Sequence, residues 1–109
     1  MYYYDNIEVQ PDIHGNVDID RVYCLDFHQF DEATWQRLSA VYRLLPKPII
    51  KDGTTQSMWF GEEDASEYYL WASVEPSGLQ IAGYLKMSDW QAWEQIFQKH
   101  LTQFPLFSV

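Results

Sequence analysis

The chain has little from which to build covalent cross-links or metal-based structure. Cys24 is its single cysteine, so no disulfide can form within it. His14, His28 and His100 are far apart, and no Cys-x-x-Cys or His-x-x-x-His pair is present, so no zinc motif can be read. No Gly-rich phosphate loop occurs. Gly61, Gly78 and Gly83 fall at turns or inside a strand pattern, and no cofactor is expected. No apolar run approaches the roughly 18 residues of a membrane helix, so no membrane span is expected. The opening "MYYYDNIEV" lacks a signal-peptide pattern, which with the lone cysteine predicts a reducing, cytoplasmic setting.

Positive charge is also scarce. Seven Lys and Arg stand against sixteen Asp and Glu, for a net charge of −9. The scarcity is uneven: residues 1–20 and 52–85 contain no base, while Arg37, Arg43, Lys47 and Lys51 cluster in an acid-free stretch between them. A phosphate backbone repels carboxylates, so nucleic-acid binding is disfavoured. An acidic surface steers a basic protein partner instead.

Aromatic rings are abundant: five Trp, eight Tyr and six Phe in 109 residues. Rings fill a small core efficiently, and they also serve interfaces and ligand clefts. The length suits one domain, residues 1–109, which on folding hides roughly two thirds of its unfolded surface.

Strand and helix periodicities alternate along the chain. Residues 2–13 and 17–28 read as a hairpin around His14-Gly15-Asn16, with Gly15 or Asn16 at positive φ. That register sets Ile13 opposite Val17, Ile7 opposite Tyr23 and Tyr3 opposite Phe27, giving one largely apolar face. Pro11 cannot donate to a ladder, which predicts an edge position for the first strand. A helix follows, with Asp31 as N-cap, a stripe of Trp35, Leu38, Val41, Tyr42 and Leu45, and a stop at Pro46 and Pro48. "SMWF" (57–60) reads as a short strand and "GEEDAS" as a loop.

The second hairpin, "EYYLWASVE" and "LQIAGYLK", closes on Pro76-Ser77. It pairs Val74 with Leu79, Ala72 with Ile81, Leu70 with Gly83 and Tyr68 with Leu85 on one face. Glu67 meets Lys86 and Tyr69 meets Tyr84 on the other. Gly83 inside a strand predicts a bulge or a close approach to the backbone. Ser88 and Gln91 form a capping-box pattern for a last helix, whose stripe is Trp90, Trp93, Ile96, Phe97 and Leu101. Residues 104–107 make an apolar tail expected to dock on the body. At an offset of 58 residues both halves read hairpin then helix, which fits an old duplication or, better on so few matches, two uses of one packing rule.

The expected fold is therefore α+β. It is a single two-layer domain with a largely antiparallel sheet (two hairpins plus a short strand) and two amphipathic helices on one face, in the order ββα-βββα.

Three stretches invite a chemical reading. Asp12, His14, Asn16, Asp18 and Asp20 alternate like a calcium loop. However, Val17 stands where such a loop needs Gly, and Tyr23 where it needs Glu. A wet acidic hairpin face is the better account, and no metal site is expected. Cys24, Asp26 and His28 pair a thiol with a base, but i and i+4 on a strand lie about 13 Å apart. No catalytic residue is assigned to them, and a core Cys24 is expected. The third stretch is the acidic loop 61–67 with its neighbouring rings. Trp59, Glu62, Glu63, Asp64, Glu67, Trp71 and Tyr84 are the expected partner-binding residues.

The first functional expectation is a non-enzymatic acidic binding module, an inhibitor or immunity-like protein that engages a basic protein partner. One alternative is a small-molecule binder or enzyme, with an aromatic-lined cleft between sheet and helices into which Asp26 or His28 reaches. Another is a structural homo-oligomer, a homodimer that buries the outer sheet face around Trp71.

Overall fold

In the computed structural model the described residues are 2–5, 9–50 and 56–107. Their strands are β1 (Tyr3–Tyr4), β2 (Asn16–Tyr23), β3 (Pro48–Ile49), β4 (Ser57–Trp59), β5 (Tyr69–Glu75) and β6 (Gly78–Lys86). They form one antiparallel sheet in the order β1-β2-β6-β5-β4-β3. The helices are α1 (Glu32–Leu44) and α2 (Met87–Leu101), and the molecule is a single α+β domain as the alternation of periods predicts.

Side-chain parity divides the sheet into two faces. Val17, Ile19, Arg21 and Tyr23 of β2 share a face with Leu79, Ile81 and Leu85 of β6 and with Leu70 and Ala72 of β5, and all are buried. α2 lies over β2 and β6, and α1 lies toward β3 at the other edge. Leu38, Val41 and Leu45 join Trp90, Trp93, Phe97 and Leu101 in the core that results. Asp31 caps α1 as its sequence suggests, its carboxylate accepting the Thr34 N–H at 2.8 Å.

The second hairpin has the expected ladder from Val74–Leu79 to Tyr69–Tyr84. Because β5 begins at Tyr69, the Glu67–Lys86 and Tyr68–Leu85 pairs do not form as ladder pairs, and Tyr68 stacks on Tyr84 instead. The first hairpin differs more. Asp12 folds back so that its carboxylate accepts the N–H groups of His14 (2.8 Å) and Asn16 (3.0 Å). The chain therefore turns one residue early, around Ile13-His14-Gly15, with Gly15 at φ +79° and Ile13 at the exposed tip. Tyr3 pairs with Tyr23 rather than Phe27, and the main partner of β2 is β6. β1 is an edge strand as predicted, although Pro11 lies outside it. Ile7 lies outside the described residues.

Three further expectations are corrected. The strand read as 17–28 ends at Tyr23, and Phe27–Gln29 is a turn of 3₁₀ helix with Asp26 capping it. Trp35 is not in the core stripe. Because α1 buries the line Thr34, Leu38 and Val41, Trp35 sits on its margin, 38 % exposed, stacked on Phe27. The Ser88–Gln91 capping box does not form. α2 starts at Met87, directly from β6, with Lys86 at the N-cap position and no side-chain cap. The Gly15 carbonyl accepts the Met87 N–H at 3.0 Å, and so pairs one first-turn donor that has no partner within the helix. The C-terminal tail docks as expected, with Phe104 buried and Leu106 bridged to Leu25.

Candidate functional site

Both helices cover one face of the sheet, which leaves the other face to side chains of opposite parity. The register places Asp18 beside Tyr84 and Tyr84 beside Tyr69 across β2, β6 and β5. The next row runs from Asp20 through Ala82 and Trp71 to Met58. Tyr69, Trp71, Tyr84 and Met58 are half-buried, and Asp18 and Asp20 are exposed. Aromatic rings thus form the middle of this face and carboxylates its β2 margin.

The rings and acids are held in place. Tyr84 donates its hydroxyl to the Asp12 carboxylate at 2.7 Å, and its ring stacks on Tyr68 with centroids 6.1 Å apart. Tyr68 in turn donates to the Asn16 side chain at 3.2 Å, and the Lys86 ammonium lies 5.6 Å over the Tyr68 ring. Gln80 donates to Asp20 at 2.9 Å.

The loop after β4 completes the acidic border. The Glu62 carbonyl accepts the N–H groups of Ala65 and Ser66, and the Ser66 hydroxyl accepts the Glu62 N–H. The tight turn so formed carries Glu63, Asp64 and Glu67 in solvent, with Glu62 half-buried. Burial, then the carboxylates of Glu63 and Asp18, push the Tyr69 phenol above its ordinary value.

Asp12 links this face to the turn beneath it. The Asn16 backbone N–H and the Tyr84 hydroxyl, followed by the His14 N–H, hold its carboxyl below the ordinary value of 3.8. Tyr84 is raised, chiefly by the same bond to Asp12. A carboxyl depressed in the folded state stabilises fully above its unfolded value and loses that contribution as pH falls through its folded value. Acid titration followed by NMR is expected to find Asp12 among the last carboxylates to protonate. Asp12→Asn is expected to remove the part of the acid-induced loosening of the 12–16 turn that lies below about pH 4. Loss of the turn near neutral pH in the unsubstituted chain would contradict this.

The expected partner-binding residues divide. Glu62, Glu63, Asp64, Glu67, Trp71 and Tyr84 lie on the outer face or its bordering loop. Trp59 does not: it pairs with Leu70 on the inward parity, is 1 % exposed, packs edge-on to Trp93 and donates its indole N–H to the Tyr42 carbonyl at 3.0 Å. Met58 is the β4 residue that faces outward beside Trp71. Tyr69, Asp18 and Asp20 also belong to the surface. Tyr69 was within reach of the hairpin register, whereas Asp18 and Asp20 join it only because β2 lies against β6.

The other chemical candidates disperse. Among the described residues no group of three His, Cys, Asp or Glu is placed to hold a metal ion, and Asp12 is engaged by its own turn. Cys24 is fully buried, and burial pushes its thiol up, away from the thiolate a nucleophile requires. Asp26 accepts the backbone N–H of His28 at 3.3 Å and the Gln29 amide at 2.6 Å. No helix among the described residues is long and apolar enough to cross a membrane. Compared with known protein families, with curated proteins and with solved structures, the chain shows no significant match.

Proposed function

We propose that the protein is a non-enzymatic acidic binding module, of the inhibitor or immunity type, that engages a basic protein partner through the outer face of its sheet. The observation that carries this reading is the sheet face that neither helix covers. Tyr69, Trp71 and Tyr84 lie in its centre with Asp18, Asp20 and Glu63 around them. A guanidinium or ammonium group gains from both parts, since it can lie over a ring and pair with a carboxylate. Half-buried aromatic residues within a polar rim also match the anatomy of an interface centre.

The same charges weigh against a homodimer through this face, because a two-fold contact sets like carboxylates near one another. The test is affinity capture with the intact chain and with an Asp18→Lys/Glu63→Lys variant, followed by association kinetics on the purified partner. A basic protein held by the intact chain alone is expected, with an association rate that falls as salt rises. A partner retained equally by the variant, or an association rate indifferent to salt, would overturn the reading. Light scattering that finds a dimer dispersed by Trp71→Ala would favour self-association instead.

A further inference from the structure

On the helix side of the sheet a cleft remains between α1 and the strands β4 and β5. Leu70, Ala72 and Val74 share the inward parity of β5, yet they are 0 %, 7 % and 51 % exposed in turn, so the floor is left increasingly bare toward the end of that strand. One lobe of the cleft, of about 480 Å³, has Trp35 and Leu38 on its α1 side and Ala72 and Val74 beneath. That is the size of a small-molecule site, roughly 300–1,000 Å³. A second lobe, of about 230 Å³, continues toward β3 and reaches Arg43. The lobes are continuous, because Ser39, Tyr42, Gln56 and Ser57 line both. Helix geometry and strand parity bring these groups together. Ser39, Tyr42 and Arg43 stand at i, i+3 and i+4 and share one face of α1. Ser57 pairs with Ala72 on the inward side of the sheet.

Tyr42 gives the cleft its chemistry. Its ring is packed edge-on against Trp59, with centroids 5.2 Å apart. Burial alone pushes its phenol above the ordinary value, and its hydroxyl has no hydrogen-bond partner among the described residues. The hydroxyl is not sealed in either: among the described residues the side-chain nitrogens and oxygens both sealed and unpaired are the indole nitrogens of Trp71 and Trp93. A phenol that stays protonated is a donor, and this one lacks an acceptor. Arg43 is exposed and in no ion pair among the described residues. The described lining of both lobes contains no Asp or Glu. An unused donor and an unpaired guanidinium, with no carboxylate between them, suit an anionic acceptor and repel a cation.

We infer that this cleft binds a small organic carboxylate, its apolar body against Trp35 and Val74 and its carboxylate toward Tyr42 and Arg43. The site lies on the helix side of the sheet and does not depend on the proposed protein-binding face.

The test is an NMR titration of the isotope-labelled full chain with hydrocinnamate, using hydrocinnamamide and phenethylamine as neutral and cationic probes of similar shape. Saturable shifts are expected at the Trp35 indole and at the Ser57 and Val74 amides, with the carboxylate binding about tenfold tighter than the amide. Phenethylamine is expected to give none. Arg43→Gln should erase the advantage of the carboxylate. Tyr42→Phe should weaken hydrocinnamate about fivefold while leaving the melting temperature unchanged, since the hydroxyl has no internal bond to lose. Equal affinity for carboxylate and amide, no saturable shift at millimolar hydrocinnamate, undiminished binding in Tyr42→Phe, or shifts confined to Trp71 and Tyr84 would each overturn the inference. Arg43→Gln alters only an exposed side chain, so it keeps the test decisive should Tyr42→Phe disturb the packing on Trp59.

Discussion

Replacing Gly83 with alanine is expected to cost about 3 kcal/mol, enough to lower the melting temperature by roughly 15 °C. Gly83 lies in the middle of β6, opposite Leu70 of β5 and Ile19 of β2. A Cβ there would collide with the Tyr69 carbonyl oxygen and come within 2.8 Å of the Leu70 Cα. These are backbone atoms of a central strand and cannot rotate away as the end of a long side chain can. The two strands would have to part, and the ladder that positions Tyr69, Trp71 and Tyr84 would part with them. Gly15→Ala provides the contrast. Its φ of +79° disfavours a side chain, yet no atom lies within 4 Å of the added carbon. It is expected to cost only about 1 kcal/mol. Thermal melts of both variants check the order, and equal losses would show that backbone contact is not what the glycine at 83 serves.

The second large effect is expected at Arg21, which is 3 % exposed on the core-facing side of β2. Its guanidinium lies 4.1 Å over the Tyr3 ring and 5.3 Å from the Trp90 ring, with the Glu94 carboxylate 3.6 Å away. The arginine therefore joins the edge strand β1 to α2 through rings and charge together. Arg21→Ala empties that space and leaves Glu94 without this cation, at a cost of about 3 kcal/mol. Glu94 keeps 22 % of its side-chain surface in water, which softens the charge part of the loss. An Arg21→Met/Glu94→Leu pair, which fills the volume and removes both charges, is expected to recover most of the stability. Urea unfolding followed by tryptophan fluorescence separates the two accounts. If the apolar pair is as unstable as Arg21→Ala, the ion pair and not the packing holds the junction.

The two hairpins show why one register is legible in the sequence and the other is not. Between Leu70 and Leu85, alternate residues are apolar on both strands, and a two-residue loop leaves a single register that matches them. For residues 2–28 the apolar match favours a turn around His14-Gly15-Asn16, and the folded chain overrules it. The choice falls to the Asp12 carboxylate, which closes the turn one residue early, and to β6, which takes the place beside β2. The same non-local choice decides the candidate surface. The acidic loop and the Trp71–Tyr84 neighbourhood can be read from local pattern, but Trp59 lies in a strand too short for alternation to reveal its inward face.

By itself the sequence determined the alternation of strands and helices, the limits of α1 at Asp31 and Pro46, the ladder of the second hairpin and the excess of surface acid. Each of these follows from contacts and conformational preferences spanning only a few residues. The tertiary structure alone decided that β2 lies against β6, that Trp59 is core while Asp18 and Asp20 border the rings, and that Val74 is left half bare. These depend on which distant element fills the neighbouring space, and a strand presents the same two faces whichever partner comes to lie beside it.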